Sequence, residues 1–354
     1  MKLKLIFLIS SFLLVSACSI TSTKTENDIG GIFVSGNNGE TWSNRNAMPT
    51  AKGVKSLSNL NANVITSDPI DANGVYFGSK SNGLFYSYDN TAEWKLAKNL
   101  GKVSIFAIAI DPKYNCNIYV STGNELWKSN DCTRNWEKIY HDTDEKTKIN
   151  NIEIDHYDIN IIFIGTSRGE VIRSEDKGQN WKTVGRFDTD ITDMAISPHD
   201  SRIIFVGTRR DGVFRSYDSG EEWESIEDYL KESDKSFKKI KKIEKVFMAN
   251  SDEGLVYFSS DDNLLRSWDF GDSWEKVNLI TPDKKTTIND ITVNPNDGNE
   301  LYYITNTTFY RSMDGGETWA TKKLNTKRYG AKVTVNNQKP NIIYMGVFKP
   351  EKKY

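Results

Sequence analysis

The stretch SMDGGETW, residues 312–319, places a serine, an aspartate, a glycine and a tryptophan at a spacing that recurs along the chain. The pattern Ser-x-Asp-x-Gly-x-x-Trp, called the box below, is found seven times in 354 residues, with substitutions in three copies. Its tryptophans lie 42 to 52 residues apart, which is the period of a β-propeller blade. The boxes are SGNNGETW (35–42), SYDNTAEW (87–94), SNDCTRNW (129–136), SEDKGQNW (174–181), SYDSGEEW (216–223), SWDFGDSW (267–274) and SMDGGETW (312–319).

The segments before each box have a common order. One example is an alternating stretch, DMAISP (193–198), followed by the apolar run RIIFVGT (202–208) and by GVFRS (212–216), which leads into a box. Short runs of β-branched and aromatic residues between turn residues predict strands. Four antiparallel strands per repeat, arranged radially, make a propeller. We therefore predict an all-β fold in which residues 29–354 form one seven-bladed β-propeller.

The box itself is predicted to be part of the architecture. Its Ser and Asp side chains can hydrogen-bond backbone amides in the turn between the third and fourth strands. Its glycine allows a positive φ, and its tryptophan packs across the hairpin. The chain varies the motif at Asn37, Thr91 and Thr133. The residues given this structural role are Asp89, Asp131, Asp176, Asp218, Asp269, Asp314, Trp42, Trp94, Trp136, Trp181, Trp223, Trp274 and Trp319.

The two ends of the repeat region are incomplete in complementary ways. Residues 30–42 contain only a third strand and its box, whereas residues 329–347 contain only a first and a second strand. Together they make one blade. We therefore expect the N- and C-terminal strands to share a blade and close the ring, which leaves no unpaired sheet edge at the closure.

The first residues have the features of an export signal. Lys2 and Lys4 precede an apolar run at 5–15, which is too short for a membrane-spanning helix. The segment LVSAC (14–18) resembles the bacterial lipobox, which implies a lipoprotein signal peptide at 1–17 and lipidation of Cys18 by chains such as palmitate. Residues 18–28 would then be a flexible tether. We expect a lipid-anchored envelope protein, on the outer membrane facing the periplasm in a Gram-negative host and otherwise on the extracytoplasmic membrane face.

Charge and histidine content exclude several classes of function. The formal net charge is −2, so no global basic field is present to recruit nucleic acid. The three histidines, His141, His156 and His199, have no metal-ligand spacing, and no nucleophile triad is visible. We therefore expect no metal and no cofactor.

The cysteines suggest a covalent crosslink. If Cys18 carries a lipid, Cys116 and Cys132 remain as an even pair in an exported protein. Both fall in turns of one predicted blade, on the same face. We therefore predict a disulfide between them.

Boxes of this kind resemble the Asp boxes of sialidases, xyloglucanases, sortilin-type receptors and the photosystem II assembly-factor family. The resemblance covers most of the chain and implies a fold rather than an activity. Sialidases hold a substrate carboxylate with three arginines. Here Arg173, Arg215, Arg266 and Arg311 each directly precede the Ser of a box, so they follow the repeat rather than a site.

The resemblance to xyloglucanases leaves a catalytic alternative open. Alignment of the first strands places Asp193 and Asp290, with Asn151, at equivalent positions facing the central channel. Two carboxylates at one mouth can act as acid and base in glycoside hydrolysis. The alternative function is therefore a glycan-binding or glycoside-hydrolase propeller. Polar residues on inner strands more often line a wet channel.

Blade topology separates the connections onto two faces. The box face contains the boxes and the turns between first and second strands, and the loop face contains the remaining connections. Loops on a rigid scaffold often bind partners, and arginine is enriched at interface hot spots. In the photosystem II assembly-factor family, an arginine-rich patch on the propeller binds a partner. We therefore expect a non-enzymatic scaffold that docks an envelope or secreted protein through Arg168, Arg186, Arg209, Arg210, Lys238, Lys239, Lys241 and Lys242.

Overall fold

A computed structural model describes residues 28–260, 263–281 and 286–350. These residues form seven four-stranded antiparallel sheets, one two-stranded hairpin, a short α-helix and one 3-10 turn. The sheets are arranged as the blades of a propeller, which confirms the predicted fold class. No helix in these ranges is both long and apolar enough to cross a membrane. The predicted signal at 1–17 and the lipidation site Cys18 lie outside the described residues.

The strands are short, as the brief apolar runs predict. The first four precede blade 1 and are β1 (Gly31–Ser35), β2 (Ser43–Asn44), β3 (Ala47–Thr50) and β4 (Gly53–Ser56). Blades 1 to 3 consist of β5 (Ala62–Ser67), β6 (Val75–Ser79), β7 (Leu84–Ser87), β8 (Lys95–Leu96), β9 (Ile108–Ile110), β10 (Ile118–Ser121), β11 (Glu125–Ser129), β12 (Glu137–His141), β13 (Ile149–Ile154), β14 (Ile162–Thr166), β15 (Glu170–Ser174) and β16 (Lys182–Arg186).

Blades 4 to 6 repeat this order, with an insert between blades 4 and 5. They consist of β17 (Ile191–Ile196), β18 (Ile204–Thr208), β19 (Val213–Ser216), β20 (Glu224–Ser225), β21 (Lys245–Met248), β22 (Val256–Ser259), β23 (Leu264–Ser267), β24 (Glu275–Val277), β25 (Asp290–Asn294), β26 (Asp297–Ile304), β27 (Thr308–Ser312) and β28 (Ala320–Lys323). The insert contains α1 (Glu227–Ser233) and the 3-10 turn Phe237–Lys239. The last strands are β29 (Tyr329–Val335) and β30 (Ile343–Phe348).

Blade 7 is built from both ends of the repeat region. Its strand order is β2-β1-β30-β29, and β1 pairs antiparallel with β30 from Gly31 opposite Val347 to Ser35 opposite Ile343. The buried Asn46 side chain supports this junction by accepting a hydrogen bond from Ile32 N. The predicted ring closure is therefore confirmed.

All seven boxes form the same turn. The Ser hydroxyl donates to the Asp or Asn Oδ1 at 2.7–3.0 Å. The same Oδ1 accepts the backbone N–H four residues later, and the amide at the Gly position donates to the Ser hydroxyl. Residues at the Gly position have positive φ, including Thr91 at 67° and Thr133 at 72°. The turn thus has the geometry that the sequence predicts.

Basic side chains connect these turns around the ring. In blades 3 to 6 the residue before the box Ser is an arginine whose Nη1 donates to a carbonyl in the next blade's box, and in blade 2 Lys128 does so. We call this contact the seam clasp. The donor and acceptor pairs are Lys128–Lys177, Arg173–Ser219, Arg215–Phe270, Arg266–Gly315 and Arg311–Asn38.

The box glycine of blade 7 gives a test of the turn. Gly39 has a φ of +83°, and an added Cβ would overlap the ring of Phe309 in blade 6. We predict that Gly39→Ala lowers the free energy of unfolding by at least about 2 kcal/mol, because backbone strain and overpacking add. Chemical denaturation measures the change. Gly36→Ala is the control, since its Cβ would meet no atom within 4 Å; equal stabilities of the two variants would contradict the prediction.

A disulfide joins Cys116, in the turn between β9 and β10, to Cys132, in the box of the same blade. Cys132 N also donates to Cys116 O at 3.2 Å. The two turns are therefore connected through both the backbone and the side chains.

Removing this bridge should destabilise the protein. The sequence separation is 16 residues, and a bridge closing a loop of about 15 residues contributes about 3 kcal/mol. We expect Cys116→Ser with Cys132→Ser to lower the free energy of unfolding by about that amount in chemical denaturation. Reductant should destabilise the unsubstituted protein similarly and leave the double variant unchanged. Stability that is insensitive to reductant would be evidence against the crosslink.

Candidate functional site

Five consecutive blades place polar residues at one level of the central channel. The first-strand residues Asn151, Asp193, Lys245, Asp290 and Lys332 each pair with the equivalent residue of their second strand. They line a cavity of about 410 Å³. The strand registers therefore show that Asn151, Asp193 and Asp290 are equivalent, as expected. The two lysines were missed, although aligning all seven first strands would have found them.

Asp193 connects three blades. Its Oδ1 accepts a hydrogen bond from Asn151 Nδ2 at 2.6 Å, and its Oδ2 accepts one from Val246 N at 3.0 Å. Burial raises the pKa of Asp193, while the nearby Lys245 opposes the rise. Both carboxylate oxygens are therefore engaged in holding neighbouring first strands together.

Asp290 makes the equivalent contact two blades later. Its Oδ2 accepts a hydrogen bond from Val333 N at 2.9 Å, and its Oδ1 lies 3.1 Å from Lys245 Nζ. Although burial lowers the pKa of Lys245, the charges of Asp290 and Asp193 outweigh it and leave that pKa above its ordinary value. A cationic Lys245 therefore lies beside Asp290 and near Asp193. This arrangement favours a structural role over an acid and base pair.

Glu153 lies two residues beyond Asn151, on the same channel-facing side of β13. Burial raises the pKa of Glu153 to about 8, the charge of Asp193 adds to the rise, and Lys245 opposes it. A raised pKa in the folded state means that ionisation of Glu153 disfavours folding. The free energy of unfolding therefore falls as pH rises from the ordinary pKa of a glutamate towards 8.

Glu153→Gln should remove this pH dependence. We predict that the variant is more stable than the parent by at least about 2 kcal/mol near pH 9, and that the difference becomes small near pH 4.5. Chemical denaturation of both proteins across this range measures it. Glu317→Gln, at an exposed box position, is the control. A difference between Glu153→Gln and the parent that stays constant with pH would contradict the argument.

The predicted loop-face cations are mostly ion-paired. Arg168 Nη2 lies 2.6 Å from Glu170 Oε2 and 3.1 Å from Asp142 Oδ2, and Arg186 Nε lies 3.3 Å from Glu170 Oε1. These acidic partners come from other loops and strands of blades 2 and 3. This part of the face is therefore balanced in charge.

The hairpin between β18 and β19 is more open. Arg209 Nε lies 3.0 Å from Asp190 Oδ2, with half of the arginine side chain exposed. Arg210 is exposed, and within the described ranges its side chain has no ion pair. Gly212 N donates to Lys241 O at 2.9 Å, so this hairpin rests on the insert between blades 4 and 5.

The insert is anchored by apolar side chains. Ile226, Leu230, Phe237 and Ile243 are buried and pack in the core between blades 4 and 5. The insert borders a cleft of about 420 Å³ on the outer rim of the loop face. The cleft is lined by basic side chains from the insert and blade 5, namely Lys239, Lys241, Lys242 and Lys276.

The lysines of the insert differ in their pairing. Lys241 Nζ lies 2.6 Å from Glu227 Oε2, and Lys242 pairs with Glu244. Lys239 is exposed. The side chain of Lys238 lies outside the described part of the structure. The structure therefore brings Arg209, Arg210 and the insert together and leaves Arg168 and Arg186 in a separate charge cluster.

Sequence comparison gives a partial family match. The family model described as sortilin, neurotensin receptor 3, matches residues 124–260, which is under half of the chain. No curated protein matches in sequence.

Structure comparison gives a match across most of the chain. The xyloglucanase of glycoside hydrolase family 74 from Xanthomonas campestris aligns with a TM-score of 0.68 and 16% identity over 81% of this chain. The alignment covers 51% of the enzyme, so this chain spans about half its length. YCF48 bound to D1 peptide aligns with a TM-score of 0.61 and 13% identity, over 86% of this chain and 96% of that one.

YCF48 from Cyanidioschyzon merolae gives a similar result, with a TM-score of 0.60 and 13% identity over 85% of this chain and 97% of that one. At these identities the comparison shows a shared fold and does not extend to activity. The chain is thus a seven-bladed β-propeller of Asp-box repeats, and its residues 124–260 match the sortilin family model.

Proposed function

We propose that this protein is a non-enzymatic docking scaffold of the bacterial cell envelope. It binds a protein partner on the loop face, at the surface formed by the hairpin of Arg209 and Arg210 and the insert between blades 4 and 5. A lipid on Cys18 holds it at the membrane.

The observation that carries this proposal is the insert. It departs from the repeat, yet four buried apolar side chains fix it to the propeller, so its cations are presented on a rigid support. Pre-organised cations beside a cleft favour binding, because few side chains must be ordered when the partner arrives. YCF48, a propeller of nearly the same length, has been solved with a bound peptide, which supports peptide binding by this architecture.

The channel gives less support to glycoside hydrolysis. A general acid and base must be free to exchange protons with the substrate. Asp193 and Asp290 instead accept backbone hydrogen bonds from the next blade, and a lysine lies beside Asp290. We therefore give the docking function preference over the glycan-active alternative.

Photo-crosslinking in cells tests the proposal. A photo-reactive residue at position 239 of the lipidated protein should form a discrete adduct with one envelope protein, identified by mass spectrometry. Arg209→Glu with Arg210→Glu should reduce this adduct at least about tenfold, because two charge reversals oppose the same partner surface.

Two controls make the result specific. A photo-reactive residue at position 114, exposed on the box face, should not give the same adduct. Arg202→Glu, an exposed arginine between the first two strands of blade 4, should leave the adduct unchanged. Loss of the adduct in both arginine variants, or its absence from position 239, would refute docking at this surface.

A further inference from the structure

The seam clasp is absent at two positions in the ring. The residue before the box Ser is Tyr86 in blade 1 and Val34 in blade 7, and neither can donate as arginine does. Tyr86 instead packs on Tyr88, with ring centroids 5.1 Å apart. The seam between blades 1 and 2 therefore lacks the cationic side chain that fills this position in the five clasped seams.

A groove of about 730 Å³ lies at this place. It crosses the outer edge of blade 1, bounded on one side by the β3–β4 hairpin and on the other by the box of blade 2. Its floor is largely apolar and contains Met48, Pro49, Tyr86 and Leu96. Leu96 has 38% of its surface exposed, which is a large fraction for leucine in a folded protein.

The rim of the groove has one sign of charge. The exposed cations Lys55, Lys95, Lys98 and Arg134 line it, and no carboxylate is among the lining residues. Within the described ranges, none of these four side chains has an ion pair. The arrangement contrasts with the loop face, where most cations are paired, and with the net charge of −2 for the whole chain.

A buried hydroxyl also faces this groove. Thr133 replaces the box glycine of blade 2, is 2% exposed and is among the lining residues. Its side chain lies beside the Tyr88 hydroxyl and opposes the rise that burial causes in the pKa of Tyr88. This end of the groove is therefore polar.

We propose that this groove, named the blade 1 groove, is a second docking site that binds an acidic peptide segment of a partner protein through an apolar side chain. The apolar residue rests on Met48 and Leu96, and flanking carboxylates pair with Lys55, Lys95 and Lys98. Apolar burial supplies affinity and the cations select acidic neighbours. This site is distinct from the loop-face surface proposed above.

A random peptide library displayed on phage, selected against the full-length protein, tests this inference. Enriched peptides should contain Asp or Glu next to a large apolar residue. Their affinity for Lys95→Glu with Lys98→Glu should fall at least about tenfold, because both charges then repel the peptide. Lys182→Glu, at the position equivalent to Lys95 in blade 3, should leave their affinity unchanged.

A second variant tests the apolar floor without changing the charge of the groove. Leu96→Ser removes an exposed apolar side chain, and it should weaken binding of the same peptides while the protein remains folded by circular dichroism. Enriched peptides that are not acidic, or that bind both variants as well as the parent, would overturn the proposal.

A separate experiment tests whether the groove binds an anionic membrane surface instead of a peptide. Vesicles of phosphatidylcholine with phosphatidylglycerol should bind the parent and Lys95→Glu with Lys98→Glu equally. If vesicle binding instead depends on these lysines and selected peptides do not compete, the groove faces an anionic membrane surface and peptide docking is refuted.

Discussion

The fold depends on the contact between one box and the next. Within a blade, the box turn closes the outer hairpin with hydrogen bonds from Ser and Asp side chains. At five of the seven seams, a basic residue before the Ser reaches a carbonyl of the following box, as Arg215 does to Phe270 O at 2.7 Å. Arg215 is 2% exposed and lies between the rings of Tyr217 and Tyr229. A buried guanidinium without such partners would strongly destabilise the fold, so each clasp requires its neighbouring blade to be correctly placed.

The sequence predicted the parts of the structure that follow from local chemistry. Box geometry is determined by residues within eight positions of one another, and the ring closure follows from incomplete repeats at the two ends. Register within the channel was only partly recovered. Asp193 and Asp290 were aligned correctly, but Lys245 lies after the insert, where the repeat spacing is disturbed. Asp193 and Asp290 accept hydrogen bonds from backbone amides of the next blade. Because every residue except proline has such an amide, the sequence does not reveal these partners.

The ion pairing of the loop-face cations could not be predicted from the sequence. Arg168 and Arg209 occur in exposed turns, as predicted, but their partners Asp142 and Asp190 belong to different connections of the ring. Whether a cation is free depends on which loops meet, and that depends on the blade-to-blade packing. The blade 1 groove was missed for a related reason. It results from an arginine that is absent at position 86 and from a hairpin outside the repeat.

Blade 7, which contains strands from both ends of the repeat region, also determines when the ring can close during folding. Ser35 in β1 pairs with Ile343 in β30, so a strand made among the first must wait for one made among the last. Until then blade 7 is half a sheet, and β1 has an unpaired edge. The propeller therefore cannot close before its C-terminal strands are available, and the last strands of the chain determine when the first strand acquires its partner.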